Sequence, residues 1–159
     1  MRIYKQTRGL LLQWISKLRL LDLKLSGATV GEDVRVFGRF SWVGPANNIT
    51  IGVACTINEG VFINARDRIT IGNNVHLSPG VQIHTGALEI DRKKRVHLQR
   101  TIIIEDDVWL ASGVIVSNGV KIGRGSAVGA NSVVTSEIPP FTFYAGVPAR
   151  FIRNVTLEE

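Results

Sequence analysis

Large apolar residues recur at every sixth position through most of the chain, and this period constrains the fold more than any other feature. The longest uninterrupted run is Ile104, Leu110, Val116, Ile122, Val128 and Val134, and shorter runs begin at Val30, Ile51 and Ile71. A six-residue period matches neither the 3.6-residue turn of a helix nor a simple alternating strand. It predicts short strands separated by corners, with three hexads in a triangular coil of about eighteen residues, as in an all-β parallel β-helix.

Small residues often follow the large apolar ones directly, as Gly52, Asn64 and Gly72 do. We expect these small residues to form corners with unusual backbone dihedral angles. Cys55 falls on an inward position, where we expect a small buried side chain. Phe40 and Asp67 also fall on inward positions but fit them poorly.

The net charge of +6 is concentrated near the N-terminus. Residues 1–25 contain six basic side chains and one acidic side chain, whereas residues 26–159 contain thirteen basic and twelve acidic ones. The main body therefore lacks the broad basic face of a nucleic-acid-binding protein, and we expect no nucleic-acid partner. The single cysteine fits a reducing compartment. Because no apolar run reaches about 18 residues and no signal-peptide cleavage pattern is present, we expect a cytoplasmic protein.

An N-terminal amphipathic helix is predicted within residues 1–26. Its apolar positions are helically spaced: Leu10, Leu11, Trp14, Ile15, Leu18, Leu21 and Leu25. One interpretation is that this face caps the first coil, because a solenoid needs covered ends. The other is that residues 1–25 contact the inner face of an anionic membrane, since basic residues and Trp14 accompany the leucines. We favour the cap.

The stretch His84–Thr101 interrupts the six-residue period and carries two of the three histidines of the chain. His84 directly follows Ile83, so its side chain should leave the core at a corner. Residues 89–100, which include His97, are expected to form an excursion loop from the end of that strand. A histidine is a common general base at neutral pH, which makes His84 and His97 candidates for proton transfer. We interpret the third histidine, His76, as structural.

From Ile102 onward, four motifs occur in order without a gap: IIIEDDVWL, GVKIG, SVVTSEIP and AGVPARFIR. This third of the chain resembles the hexapeptide-repeat acyltransferases, in particular the sugar O-acetyltransferase branch that includes the maltose and galactoside acetyltransferases. The resemblance implies a left-handed β-helix and a homotrimer with active sites between adjacent subunits. It also implies acetyl-CoA as the cosubstrate and a sugar or glycan as the acceptor.

The same resemblance assigns cofactor-binding positions. It implies that acetyl-CoA lies along one edge of the β-helix, with backbone groups at Ser112 and Ala130 holding its pantetheine arm and Arg150 and Arg153 meeting its phosphates. Ser112 and Ala130 are eighteen residues apart, so we expect them to stack in successive coils. Arg150 and Arg153 would point to one side if the C-terminal segment is a short helix. No metal ligands are predicted.

The predicted base departs from the family pattern. Many members place the catalytic histidine about four residues after the position of His84, where this chain has Leu88 and Glu89. The base is then His84, or His97 folded back from the loop, or it is absent. We favour His84 because a strand holds it in place.

The sequence therefore predicts three parts: a helical cap (1–26), a β-helix (27–139) with its excursion loop (89–100), and a C-terminal tail (140–159) that ends in a short helix. The expected activity is acetyl-CoA-dependent transfer of an acetyl group to a sugar hydroxyl of a surface-polysaccharide or glycan precursor, by direct attack with a histidine base. An N-acyltransferase acting on an amino-sugar nucleotide and a non-catalytic scaffold remain alternatives. A β-helix carbonic anhydrase is disfavoured, because its H-x-x-x-x-H spacing is missing.

Overall fold

A helix and a stack of short strands make up the part of the chain that the computed structural model describes, which is residue 14 and residues 17–91 and 94–155. The helix, α1, includes residues 14 and 17–25. The chain then passes repeatedly through three sheets in the same order, which confirms the predicted parallel β-helix. No helix within these ranges is long and apolar enough to cross a membrane.

The three sheets form the faces of a triangular prism, and strands one coil apart pair in parallel. Sheet A contains β1 (Thr29–Val30), β4 (Ile49–Ile51), β7 (Ile69–Ile71), β12 (Ile102–Ile104) and β15 (Lys121–Ile122). Sheet B contains β2 (Arg35–Phe37), β5 (Thr56–Asn58), β8 (His76–Leu77), β13 (Trp109–Leu110), β16 (Ala127–Val128), β18 (Thr142–Ala145) and β19 (Arg150–Asn154). Sheet C contains β3 (Ser41–Val43), β6 (Phe62–Asn64), β9 (Gln82–His84), β14 (Ile115–Val116) and β17 (Val133–Val134).

The coil lengths differ, and the extra residues leave the prism at one corner. Ile104 pairs with Ile122 eighteen residues later, as predicted, whereas Ile51 pairs with Ile71 twenty residues later. In each longer coil the additional residues lie where the chain passes from sheet C to sheet A, which we call the C–A corner. The first passage contains a 3₁₀ turn (Ala46–Asn48), and the third contains an antiparallel hairpin of β10 (Gly86–Asp91) and β11 (Lys94–Gln99). The predicted loop 89–100 is therefore a paired hairpin that already begins at Gly86.

The large apolar residue of each hexad points into the prism. Ile57, Ile63, Leu77 and Ile83 are at most 1% exposed, and Cys55 is buried as expected. The expectation that Phe40 fits its inward position poorly is wrong, because its ring is buried in the same apolar cluster as Leu23 of α1.

The residue directly after a large apolar one, such as Gly52 or Gly72, does not have a positive φ angle, which corrects the expectation that this residue has unusual dihedral angles. The left-handed residues lie two positions further on, and Asn74, Asp107 and Asn131 have φ of 52°, 60° and 57°. Gly72 is needed for another reason: a Cβ there would lie 2.7 Å from the backbone nitrogen of Asp106 in the next coil. The spacing between coils, not the dihedral angle, selects glycine at that position.

The C-terminal segment is a strand hairpin, so the predicted short helix is wrong. β18 continues sheet B in parallel with β16, and the chain then reverses near Gly146 so that β19 pairs antiparallel with β18. A helix would leave the backbone groups along the outer edge of β18 unpaired, whereas β19 satisfies them.

Candidate active site

Both candidate histidines lie at the C–A corner. His84 ends β9, and its ring is half-buried beside Phe62, with the ring centroids 5.6 Å apart. Its Nε2 lies 3.1 Å from Oε1 of Gln82. If the amide oxygen accepts this hydrogen bond, Nε2 carries the proton and Nδ1 is free to act as a base. Burial lowers the pKa of His84 below its ordinary value of 6.5, which favours the neutral imidazole.

A surface hollow lies beside the base of the excursion hairpin. It is lined by Asn64, Arg66, residues 86–88 and residues 97–99. His97 is thus one of the lining residues, and its side chain is exposed. The hollow combines an imidazole, a guanidinium and an amide, which is a polar set suited to a hydroxyl-rich ligand.

Leu88 and His97 are direct cross-strand partners in the antiparallel register of the hairpin. Directly opposed residues project from the same face, with their Cβ atoms about 4.5–5.5 Å apart. The imidazole of His97 therefore lies next to the position at which the resembling family usually carries its histidine. Nothing in the spacing of the sequence revealed this pairing, because it depends on where the hairpin turns.

Asn64 is a site residue that the sequence analysis did not select. Its Oδ1 is buried and has no hydrogen-bond partner among the residues that the structure describes. A buried polar atom without a partner is uncommon and is a candidate to meet a ligand donor. Asn64 pairs in register with His84 one coil later, and both residues directly follow an inward isoleucine. That shared position in the hexad was the available signal.

Ser112 and Ala130 lie at a different corner, where the chain passes from sheet B to sheet C; we call it the B–C corner. Their predicted stacking is confirmed, since Leu110 pairs with Val128 just before them. The backbone N–H of Asn131 donates to the carbonyl oxygen of Ser112 at 2.9 Å, which links the two coils at this corner. Their role in cofactor binding remains a prediction.

Arg150 and Arg153 project from the same face of β19, although the predicted helix is absent. Arg150 pairs with Ala145 and Arg153 with Phe143, two residues earlier in β18. The register shifts between these pairs, so Ile152 is an extra residue in β19. Because of this bulge, the two arginines point to the same side of the strand although they are three positions apart. The guanidinium of Arg153 lies 5.6 Å from the ring centroid of Phe143. Both arginines are exposed and offer donors of the geometry that phosphate groups accept.

One subunit does not bring all the predicted site residues together. The histidines lie at the C–A corner, whereas Ser112 and Ala130 lie at the B–C corner, and sheet C separates these two edges of the prism. Arg150 is on the B–C side, because the backbone N–H of the preceding Ala149 donates to the carbonyl oxygen of Val133 in β17 at 2.8 Å. Among the described side chains, no three His, Cys, Asp or Glu residues converge as a metal site would require.

Comparison with known families identifies the repeat. Residues 101–136 match the family described as bacterial transferase hexapeptide (six repeats). The chain is 35% identical over 137 residues to a galactoside O-acetyltransferase of Escherichia coli K12, covering 80% of this chain and 64% of that protein. It therefore spans less than two thirds of the length of that relative.

Solved structures agree with the match. A hexapeptide-repeat acetyltransferase of Vibrio cholerae O1 biovar eltor, complexed with acetyl coenzyme A, superposes with a TM-score of 0.81 at 33% identity, covering 88% of this chain and 78% of that one. A maltose O-acetyltransferase of Clostridium difficile 630 gives a TM-score of 0.80 at 33% identity, covering 85% and 73%.

Proposed function

The chain belongs to the hexapeptide-repeat acetyltransferase family, and from this premise we propose that it transfers an acetyl group from acetyl-CoA to a hydroxyl of a sugar or glycan acceptor. The relatives named for galactoside and maltose O-acetylation support a sugar acceptor. The polar hollow at the hairpin supports it independently, because the lining residues Arg66 and His97 can form hydrogen bonds with sugar hydroxyls.

The proposed active site lies between two subunits of a homotrimer. The histidines and the predicted cofactor residues occupy different edges of one prism, so a neighbouring copy must supply one of the two sets. A closed ring of three copies would place the C–A corner of each subunit beside the B–C corner of the next. This arrangement makes the free monomer inactive.

Acetyl-CoA supplies the thioester whose carbonyl carbon the acceptor oxygen attacks. Arg150 and Arg153 suit its phosphates, since two exposed guanidinium groups on one face match the charge and the donor geometry that phosphates require. Ser112 and Ala130 lie along the adjacent edge, where backbone groups can hold an extended chain. Holding donor and acceptor together lowers the entropic part of the barrier.

The observation that carries the proposal is the pairing of Leu88 with His97 across the hairpin. It supports His97 as the general base, because this imidazole lies in the hollow beside the position where the family usually has its own. The base takes the proton from the acceptor hydroxyl as its oxygen attacks the thioester carbonyl carbon; the C–S bond then breaks, and the protonated base returns the proton to the sulfur, so that CoA leaves as the thiol. His84, which the sequence favoured, is the second candidate: its neutral ring is chemically suited, but it is not among the residues that line the hollow.

The test compares four variants in an acetyl-transfer assay with galactoside and maltoside acceptors: His97→Leu, His84→Gln, Leu88→His, and the exchange Leu88→His with His97→Leu. Removing the base should lower kcat by roughly 10²–10⁴-fold with little change in acetyl-CoA binding. We expect this loss in His97→Leu and a partial recovery in the exchange variant. A loss in His84→Gln alone would transfer the role to His84.

Two further outcomes address other functions. Assaying an amino sugar beside its hydroxyl analogue distinguishes O-acylation from N-acylation, and preference for the amine would overturn the proposed acceptor. A wild-type protein that binds no CoA in calorimetry, and acetylates neither acceptor, would contradict the enzymatic proposal and favour a non-catalytic scaffold.

A further inference from the structure

The outer side of α1 is an apolar stripe without a covering element in the described structure. It consists of Trp14, Leu18, Leu21 and Leu25, spaced by four, three and four residues, which places them along one side of a helix. These side chains are 50–79% exposed. Soluble proteins seldom expose large apolar residues in a continuous row unless the row meets a partner.

The stripe is not the surface with which α1 packs on the β-helix. Leu23, which follows Leu21 by about 200° around the helix axis, is fully buried in the core cluster. Arg19 places its guanidinium 5.5 Å from the ring centroid of Trp42 and pairs with Asp22 at 3.4 Å. The helix is thus attached to the β-helix through its opposite side, so the expectation that the face with Leu18, Leu21 and Leu25 caps the first coil is wrong.

Positive charge accompanies the stripe. Lys17 and Lys24 are exposed and seven residues apart, so they lie on the same flank of the helix beside the leucines. On the β-helix next to this flank, Arg35 and Phe37 line a shallow hollow together with Lys17. Residues 1–25 have a net charge of +5, whereas the remaining 134 residues are close to neutral. Both the apolar stripe and the excess charge therefore belong to the N-terminal part of the chain, and Lys17 and Lys24 place part of this charge beside the stripe.

We propose that α1 binds the surface of an anionic lipid bilayer, with the stripe inserted among the lipids and the flanking lysines at the headgroups. A row of leucines with a tryptophan and flanking lysines is the composition by which helices lie in a membrane interface. Anionic headgroups attract basic side chains that lie near the membrane surface, as Lys17 and Lys24 would. The inference does not depend on the proposed enzymatic activity.

The test is cosedimentation of the full chain with vesicles of phosphatidylglycerol and phosphatidylcholine, compared with vesicles of phosphatidylcholine alone. We expect binding to the anionic vesicles that is more than tenfold stronger than to the neutral ones. Leu18→Ser with Leu21→Ser, and separately Lys17→Glu with Lys24→Glu, should each reduce binding more than tenfold. The matched control is Val43→Ser with Val53→Ser, which changes two exposed apolar side chains on the coils and should leave binding unchanged.

The oligomeric state of each variant is measured by light scattering in the absence of lipid. Equal binding of the wild-type protein to both kinds of vesicle, or to neither, would overturn the proposal. If Leu18→Ser with Leu21→Ser dissociates the oligomer, the stripe is a contact between copies of this chain, and the proposal is likewise overturned. Unchanged circular dichroism of the serine variant would show that a loss of binding is not a loss of fold.

Discussion

Arg150 and Arg153 share one face of the C-terminal hairpin because Ile152 is bulged between them. A helix would also have placed the two arginines on one side. Deleting Ile152 distinguishes the hairpin from a helix. In the hairpin, this deletion leaves a regular strand with the arginines two positions apart and still on one face. In a helix, it would rotate one arginine away from the other by about 100°.

The arginine pair should determine the affinity for acetyl-CoA. Arg150→Ala or Arg153→Ala is expected to raise KM for acetyl-CoA about tenfold each, since a charge-assisted hydrogen bond contributes roughly 1.5–3 kcal/mol. Deletion of Ile152 should change KM less than either substitution. Arg39→Ala is the control, because it removes an exposed arginine far from the hairpin. Steady-state kinetics at saturating acceptor measure the effect, and equal KM values in all variants would contradict the assignment.

A site shared between subunits should allow complementation. At an acetyl-CoA concentration below the wild-type KM, a His97→Leu subunit and an Arg150→Ala, Arg153→Ala subunit are each expected to be nearly inactive alone. After unfolding together and refolding at equal amounts, some interfaces combine an intact histidine edge with an intact arginine edge. Random assembly should restore about a quarter of the wild-type activity. Recovery no greater than the sum of the two separate proteins would show that both sets act within one subunit.

The pKa of His84 should lie below 6.5, because burial disfavours its charged form. An NMR titration of its Cε1–H resonance, assigned with His84→Gln, measures the midpoint. Phe62→Ala exposes the ring and should move the midpoint upward, toward 6.5. A wild-type midpoint at or above 6.5 would contradict the burial argument.

The lowered pKa of His84 also makes the stability of the protein depend on pH. The unfolded chain binds a proton at His84 more readily than the folded protein, so the free energy of unfolding increases with pH through this range. The contribution of His84 is fully present above pH 6.5 and decreases as the pH falls toward the folded pKa. His84→Gln should therefore reduce the slope of stability against pH in urea unfolding between these values.

The two kinds of corner glycine should respond differently to substitution. Gly72→Ala places a Cβ 2.7 Å from a backbone atom of the next coil and should destabilise the protein by about 1–3 kcal/mol. Gly60 has a φ of 75°, but a Cβ added there would make only an ordinary van der Waals contact, since its nearest neighbour, the backbone nitrogen of Gly80, lies at 3.6 Å. Asn74 and Asn131 occupy the equivalent left-handed position in other coils. Gly60→Asn should therefore cost less than 1 kcal/mol. Urea unfolding at a fixed protein concentration measures the free energy of unfolding of both variants. An equal decrease in Gly72→Ala and Gly60→Asn would contradict the distinction between the two kinds of glycine.

The β-helix could be predicted from the sequence because its period is local: each inward residue, such as Ile104, Leu110 or Val116, is chosen by the same position in the hexad. The stacking of Ser112 on Ala130 followed from the same arithmetic. The prediction of a C-terminal helix was wrong because the hairpin of β18 and β19 depends on pairing with β16, a strand outside residues 140–159. β19 forms where it does because β16 (Ala127–Val128) holds β18 in sheet B and leaves the other edge of β18 open, and the spacing within residues 140–159 does not reveal this pairing.

The candidate site was predictable only in part. The interruption at His84–Thr101 correctly located the corner from which the hairpin departs, because the loss of period is visible in the sequence. The partner of Leu88 was not predictable, since cross-strand register depends on the turn between β10 and β11. Asn64 was overlooked for a related reason: its unsatisfied oxygen becomes apparent only once the surrounding backbone has been placed.

The release of all surplus residues through the C–A corner separates two kinds of evolutionary freedom. The hairpin can lengthen, shorten or change composition there while the six-residue spacing across the other two corners, from Leu77 to Ile83 for example, stays the same. If the hairpin selects the acceptor and the B–C corner holds the acyl donor, as we propose, the two specificities can change independently. Replacing residues 86–99 of this chain with the corresponding hairpin of a relative would then alter the choice of acceptor without disturbing the coils.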